Sequence, residues 1–126
     1  NAQIKALRTS PITLISTPGA GKIISVVSCS VKFNYGGNNV FVTGGNLQLN
    51  ANTTAGLLYL QINSAIYTGS VDKLYAIGAV TAVGATTVNT LENQPVILTT
   101  GISDPTGNAA NDNTLVVEVL YYTLTM

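Results

Sequence analysis

The chain has 126 residues, of which 46% are hydrophobic, 8% are charged and none is histidine, and its formal net charge is zero. This length suits a single domain with one core, and the charged fraction is about a third of that in an ordinary globular domain. The few scattered cations exclude a nucleic-acid-binding surface, which needs clustered Lys and Arg. A surface of Thr, Asn, Ser and Gln suits an extracellular or virion protein better than a cytosolic enzyme.

The charges are unevenly distributed along the chain. Residues 1–63 contain four basic and no acidic side chains, whereas residues 64–126 contain one basic and five acidic side chains. Chance pairing between neighbouring strands explains this distribution. The alternative is complementarity between the two halves, within one chain or across a subunit contact.

Several reactive arrangements are missing. Without histidine, neither a Ser-His-Asp triad nor a Cys-His pair can form within the chain, and zinc sites built from His or several Cys are excluded. Cys29 is the only cysteine, and we expect a buried structural thiol. No apolar run reaches the roughly 18 residues of a membrane span, and the sequence starts without a signal-peptide pattern. We therefore predict no catalytic residue, no cofactor and no metal site.

Residues 1–10 are predicted to form an N-terminal arm, followed by a single domain over residues 11–126. The arm is polar and mildly basic, apart from Ile4 and Leu7. A frayed terminus is one interpretation. The other is an arm that docks on a neighbouring molecule, since two apolar side chains would otherwise be exposed.

A long strand beginning at Lys22 organises the predicted fold. It lies between two turn sequences, PGAG at residues 18–21 and GGNN at residues 36–39. Alternate residues fall into two sets, and the largely apolar set is expected to face the core. That set is Ile23, Ser25, Val27, Cys29, Val31, Phe33 and Tyr35. The other set, which becomes polar, is Ile24, Val26, Ser28, Ser30, Lys32 and Asn34.

Other segments also have strand character. Strands are predicted over residues 12–17, 40–43, 46–50, 74–80, 82–91, 96–100 and 114–125, and Leu47 and Leu49 are expected in the core. Residues 57–66 fit either a short helix or an irregular strand. About eight strands with closely spaced turns and little helix predict an all-β fold, an antiparallel, jelly-roll-like β-sandwich.

Residues 18–22, PGAGK, suggest a phosphate-binding loop, but the pattern fails. The loop requires Gly five positions before Gly21, where Ser16 stands, and Ser or Thr after the lysine, where Ile23 stands. A strand follows instead of a helix, so no helix N-terminus is present to bind an anion. We predict a tight turn between two strands.

The loop of residues 101–113 is rich in turn-forming residues. Its oxygen-bearing side chains could hold Ca²⁺, although an ordinary loop of Asx turns is the simpler interpretation. Those side chains are Asp104, Asn108, Asn111, Asp112 and Asn113. Two tyrosines further on, Tyr121 and Tyr122, could stack on a sugar, but packing or an interface is the preferred interpretation.

The last strand, residues 114–125, is apolar on both sides. Leu115, Val117, Val119 and Tyr121 lie on one side, and Val116, Leu120, Tyr122 and Leu124 lie on the other, interrupted by Glu118. Burial of both faces would require a central position in a sheet or contact with another chain.

Four stretches resemble a recurrent small domain of tailed-phage virions. They are PGAGK leading into the strand that ends in NYGGNN, QPVILTT at residues 94–100, the following Gly/Asn/Asp loop, and the closing TLVVEVLYYTL at residues 114–124. The chain is similar here to the β-sandwich proteins of capsid decoration, cement or head-fibre assemblies. This resemblance implies a location on the capsid surface of a virion, a homotrimer, and the major capsid protein as partner.

The predicted function is therefore that of a non-enzymatic capsid decoration or cement protein that stabilises contacts between major capsid subunits, with no nucleic-acid or membrane partner. We predict capsid contact through Ile4, Lys5, Leu7 and Arg8, and a subunit interface at Val116, Leu120, Tyr122 and Leu124. The alternative is a receptor- or carbohydrate-binding module of a phage tail or head fibre that uses the 101–113 loop and nearby tyrosines. An enzyme that pairs two acidic residues in a concave site is the third hypothesis.

Overall fold

The computed structural model describes residues 2–78 and 90–126, which form nine strands and two short 3₁₀ turns, Ile4–Ala6 and Ser64–Ile66. The strands are β1 (Ile12–Ile15), β2 (Lys22–Asn34), β3 (Phe41–Val42), β4 (Leu47–Ala51), β5 (Leu58–Ile62), β6 (Lys73–Gly78), β7 (Val96–Thr100), β8 (Thr106–Gly107) and β9 (Thr114–Thr125). Every described pairing is antiparallel. The predicted all-β antiparallel class is confirmed.

The strands are divided between two main sheets and one small one. A four-stranded sheet has the order β1-β7-β4-β5, a three-stranded sheet has the order β6-β2-β9, and β3 pairs with β8. Buried side chains of both main sheets belong to one hydrophobic core, which makes the architecture two-layered. Among them are Leu47, Leu49 and Val96 from the first sheet and Ile24, Val31 and Phe33 from the second.

Strand β2 lies where the sequence predicts it. The predicted face points to the core only in the second half of the strand. Its second half presents Cys29, Val31 and Phe33 to the core, as expected. Its first half instead buries Ile24 and Val26, so the assignment of Ile23 and Val27 to the core-facing set is wrong.

The cause is a β-bulge at Val27. Val26 lies opposite Tyr121 and Ser28 lies opposite Leu120, so Val27 is an extra residue with no counterpart on β9. Side chains alternate with a period of two, and one inserted residue therefore exchanges the two faces.

The remaining elements agree with the predictions to differing degrees. Leu47 and Leu49 are fully buried, as expected. Residues 57–66 form strand β5 followed by a 3₁₀ turn, which resolves the ambiguity in favour of a strand. The predicted strand over residues 82–91 lies mostly outside the described residues.

The bulge yields a test in which two adjacent valines behave differently. We expect Val26→Ala to reduce the free energy of unfolding by about 2 kcal/mol, because it removes buried methyl groups and leaves a cavity. Val27→Ala should reduce it by less than about 1 kcal/mol, since Val27 is only half-buried. Urea denaturation measures both values, and equal losses, or the reverse order, would contradict the bulge.

Candidate interaction surface

The outward side of the three-stranded sheet carries exposed apolar side chains. Strand β9 pairs with β2 from Lys22↔Thr125 to Asn34↔Thr114, and β6 pairs with the opposite edge of β2. We call the outward side chains of these three strands the outer face. They are Leu74 and Ala76 from β6, Ile23, Ser25, Ser28, Ser30, Lys32 and Asn34 from β2, and Thr114, Val116, Glu118, Leu120, Tyr122 and Leu124 from β9. Five of its large apolar side chains are between 48% and 72% exposed.

Among the described strands, β9 has no neighbour on its second edge, and its backbone groups there add to this surface. The other edge strands of the two main sheets are short: β1 has four residues, β5 has five and β6 has six. Strand β9 has twelve residues, no proline and Glu118 as its single charge. Natural proteins protect long edges with charges, proline or bulges, because an open edge pairs readily with another chain. Among the described edge strands, β9 is therefore the best suited to join another chain.

The structure brings the four predicted interface residues together. Val116, Leu120, Tyr122 and Leu124 all lie on the outer face and are exposed. The alternative of a central position in a sheet is wrong for the described strands, since β9 is an edge strand. Contact with another chain remains the prediction for these side chains.

The N-terminal residues are packed onto the domain instead of extending from it. Ile4 is 6% exposed and Leu7 is fully buried, and both belong to the hydrophobic core. The Thr99 hydroxyl donates a hydrogen bond to the Leu7 carbonyl at 3.0 Å. The interpretation as a frayed terminus is therefore wrong.

Polar contacts hold the same segment to the 101–113 loop. The Asp104 carboxylate accepts hydrogen bonds from the backbone N–H groups of Arg8 at 2.6 Å and Thr9 at 3.1 Å. The Lys5 ammonium donates to the Asn108 carbonyl at 3.0 Å and to Asn111 Oδ1 at 2.9 Å. Residues far apart in the sequence are thereby tied together at one end of the molecule.

These contacts remove the reason for predicting a capsid contact in the N-terminal arm. The prediction assumed that Ile4 and Leu7 would otherwise be exposed, and this assumption is wrong because the chain's own core covers them. Lys5 and Arg8 also have intramolecular partners, the latter donating from Nη1 to the Thr100 carbonyl. Contact of Ile4 or Leu7 with a partner would require the segment to detach, whereas Lys5 and Arg8 are partly exposed.

The pKa of Asp104 reflects the same contacts. Partial desolvation acts to raise the pKa of this carboxyl group, but hydrogen bonds from Thr9 and Arg8 and the charge of Arg8 outweigh it. The net effect lowers the pKa below its ordinary value.

The 101–113 loop uses its side-chain oxygens to stabilise neighbouring backbone. Asn113 Oδ1 accepts from the Gly36 N–H at 2.8 Å, and Asp112 Oδ2 accepts from the Asn38 amide at 2.6 Å. Together with the Lys5 ammonium on Asn111, these donors occupy oxygens that a cation would need. No group of three or more Cys, Asp or Glu side chains within residues 2–78 and 90–126 is arranged to hold a metal ion. This arrangement favours the interpretation as an ordinary turn-rich loop.

The glycine turn at residues 18–21 binds a carboxylate of the chain itself. The Gly21 N–H donates to Glu92 Oε1 at 2.6 Å, and the Gly19 N–H donates to Asn93 Oδ1 at 3.0 Å. Gly19 and Gly21 have positive φ, at 99° and 71° respectively, which explains the choice of glycine. The turn connects β1 in one sheet with β2 in the other, so it joins two strands that are not paired.

The two adjacent tyrosines point to opposite sides of β9. Tyr122 lies on the outer face, whereas Tyr121 lies beside a pocket that Leu14 and Ile24 also line. They cannot form one stacking platform. At about 3.4 Å per residue, they also lie roughly 25 Å along the strand from the 101–113 loop, so loop and tyrosines do not form one site.

Neither reactive side chains nor paired acids mark a catalytic centre in the part of the chain that the structure describes. Cys29 is buried, and desolvation raises the pKa of its thiol to about 11. Four surface pockets lined by described residues contain no Asp or Glu among their lining side chains. Neither of the 3₁₀ turns, nor any other helix within the described ranges, is long and apolar enough to cross a lipid bilayer.

Comparisons of the chain with protein families, with curated proteins and with solved structures found no match. The outer face and the open edge of β9 are therefore interpreted from their own geometry.

Removal of the Asp104 carboxylate should change stability in a pH-dependent way. Because the folded-state pKa is lowered, the stabilisation is fully present above the unfolded-state value of about 4 and is lost as the pH falls through the folded-state pKa. Asp104→Ala should lower the melting temperature at pH 6, and the difference from wild type should shrink below pH 4. Thermal unfolding from pH 6 to pH 2 measures it, and a difference that is independent of pH would contradict the contact.

The Cys29 thiol should be nearly inert in the folded protein. With a pKa of about 11, only about 0.1% is thiolate at pH 8, and burial also blocks the reagent. We expect reaction with a disulfide reagent to be at least about 100-fold slower than in denaturant. A cysteine placed at the exposed Val42 provides the control, and similar rates at both positions would contradict the burial.

Proposed function

We propose that this protein is a non-enzymatic structural component of a tailed-phage virion, a decoration or cement protein on the capsid surface. The observation that carries the proposal is the outer face, which presents exposed apolar side chains beside the twelve-residue open edge of β9. Contiguous apolar surface of this kind is typical of protein–protein contact. The sequence resemblance to capsid decoration proteins supplies the biological setting.

Assembly into a homotrimer is part of this proposal. Val116, Leu120, Tyr122 and Leu124 form the subunit interface, because they are the large apolar side chains that β9 exposes on the outer face. A trimer presents three equivalent surfaces to the major capsid protein. Several modest contacts made at once give an avidity far above that of one contact, which is how a small domain can reinforce capsid subunits.

The contact with the major capsid protein is proposed to use surface outside the N-terminal segment. Of the predicted contact residues Ile4, Lys5, Leu7 and Arg8, the two apolar ones are buried and could make that contact only after leaving the core. Fully exposing a leucine such as Leu7 costs about 2 kcal/mol, and the hydrogen bonds to Asp104 would be lost as well. This cost argues against the segment as a capsid contact.

The jelly-roll-like order of about eight strands is also part of the proposal. The first two long-range pairings, β1 with β7 and β2 with β9, join the beginning of the chain to its last third. Jelly rolls likewise pair strands that are distant in sequence. The two-layered core supports the same architecture.

A receptor- or carbohydrate-binding module is the alternative function. The geometry disfavours it, because Tyr121 and Tyr122 point to opposite sides of β9 and lie away from the 101–113 loop. The loop oxygens also bind the chain's own backbone and side chains. Structural assembly therefore agrees better with the observed contacts.

The proposal predicts that the outer face is needed for assembly on capsids. Capsids of a phage that encodes this chain, prepared without it, should bind the added wild-type protein saturably and resist heating better. A Leu120→Ser/Tyr122→Ser variant should lose the trimer mass and bind at least about tenfold more weakly, because multivalency is lost. Occupancy is measured by co-sedimentation and mass by light scattering.

The matched control is Val42→Ser, which changes an exposed valine on the small β3-β8 sheet. This variant should keep the wild-type mass. Absence of wild-type binding to capsids, together with binding to a glycan array, would overturn the proposal in favour of the alternative.

A further inference from the structure

The outer face contains two charged side chains, one of each sign. Lys32 lies on the central strand β2 opposite Val116, and Glu118 lies on β9 opposite Ser30. Both are exposed. The remaining outer-face side chains carry no charge, so these two charges dominate the electrostatics of the surface.

Neither charge is satisfied by the part of the chain that the structure describes. Lys32 and Glu118 are diagonal neighbours on adjacent strands, where such pairs are typically 7–8 Å apart. Neither takes part in a hydrogen bond or an ion pair with a described residue. By contrast, Lys5, Glu92 and Asp104 all bind the chain's own backbone.

Unpaired charges restrict what can cover this face. Burial of an isolated ammonium or carboxylate is strongly unfavourable unless an opposite charge meets it. A partner that covers the apolar side chains must therefore bring an acid to Lys32 and a base to Glu118. A second copy of the same face carries both, on an otherwise uncharged background.

We infer that the outer face packs against that of another copy of this chain, with Glu118 of one copy paired to Lys32 of the next. The inference rests on the self-association in the proposed function and adds the contact that sets its register. Each copy contributes one charge of each sign, so a closed ring satisfies every charge whatever its number of subunits. Like charges facing each other penalise other registers.

The dimensions of the surface suit this role. Three strands spaced about 4.8 Å apart, the longest about 40 Å in length, give a flat area of roughly 500 Å². A standard stable interface buries about 800 Å² per partner, and projecting side chains such as Leu74 and Tyr122 enlarge the accessible area beyond the flat value. The outer face is therefore large enough to supply most of a specific contact.

Two charge reversals, studied separately and mixed, test the inference. Lys32→Glu makes the outer face wholly acidic and Glu118→Lys makes it wholly basic. Each variant alone should associate at least about tenfold more weakly than wild type in sedimentation equilibrium, because like charges meet at every contact. An equimolar mixture should recover part of the association, since two of the three contacts in a mixed trimer then join faces of opposite sign. An ion pair within one chain cannot produce this recovery.

Lys22→Glu is the matched control, because it makes the same charge change at the exposed first residue of β2. It should associate as wild type does, and circular dichroism should show that all variants fold. Wild-type association by single variants, or a mixture that associates no better than either variant, would overturn the inference. If the wild-type protein binds capsids as a monomer, the inference about the outer face is overturned and the proposed capsid role is retained. If it forms oligomers that do not bind capsids, only the proposed capsid role is overturned.

Discussion

The antiparallel pairing of β2 with β9 is the interaction on which the rest of the structure depends. It runs from Lys22↔Thr125 to Asn34↔Thr114 and joins the first third of the chain to its end. With β9 on one edge and β6 on the other, β2 is the central strand of its sheet and buries one face against the four-stranded sheet. No strand within residues 2–78 and 90–126 pairs with the far edge of β9, and this edge and the exposed outward side of the sheet form the candidate interaction surface.

Most polar groups that suggest chemistry in the sequence instead stabilise turns and connections. Asp104 binds the N-terminal segment, Glu92 binds the Gly21 amide, and Asn113 binds the Gly36 amide. In a chain with so few charges, such contacts satisfy backbone donors that regular strands do not pair. Lys32 and Glu118 differ from these groups, because they face outward without such a role.

This division of polar roles supports assembly as the proposed activity. The polar side chains of the loops hydrogen-bond to the domain's own backbone, so few of them are left to bind a small ligand. A broad sheet face with few charges is suited instead to a protein partner. The exposed leucines and Tyr122 would supply the apolar contact area, and the two opposite charges would select the register. Affinity and specificity would thus come from different side chains of one surface.

Local patterns in the sequence determined the class of the fold, the extent of β9 and the core positions of Leu47 and Leu49, because alternation with a period of two is a property of each strand alone. The tertiary structure decided which side of β2 is buried in its first half, since the bulge at Val27 depends on how many residues β9 places opposite it. It also decided that Ile4 and Leu7 join the core. Both outcomes depend on segments distant in sequence, and no local pattern contains that information.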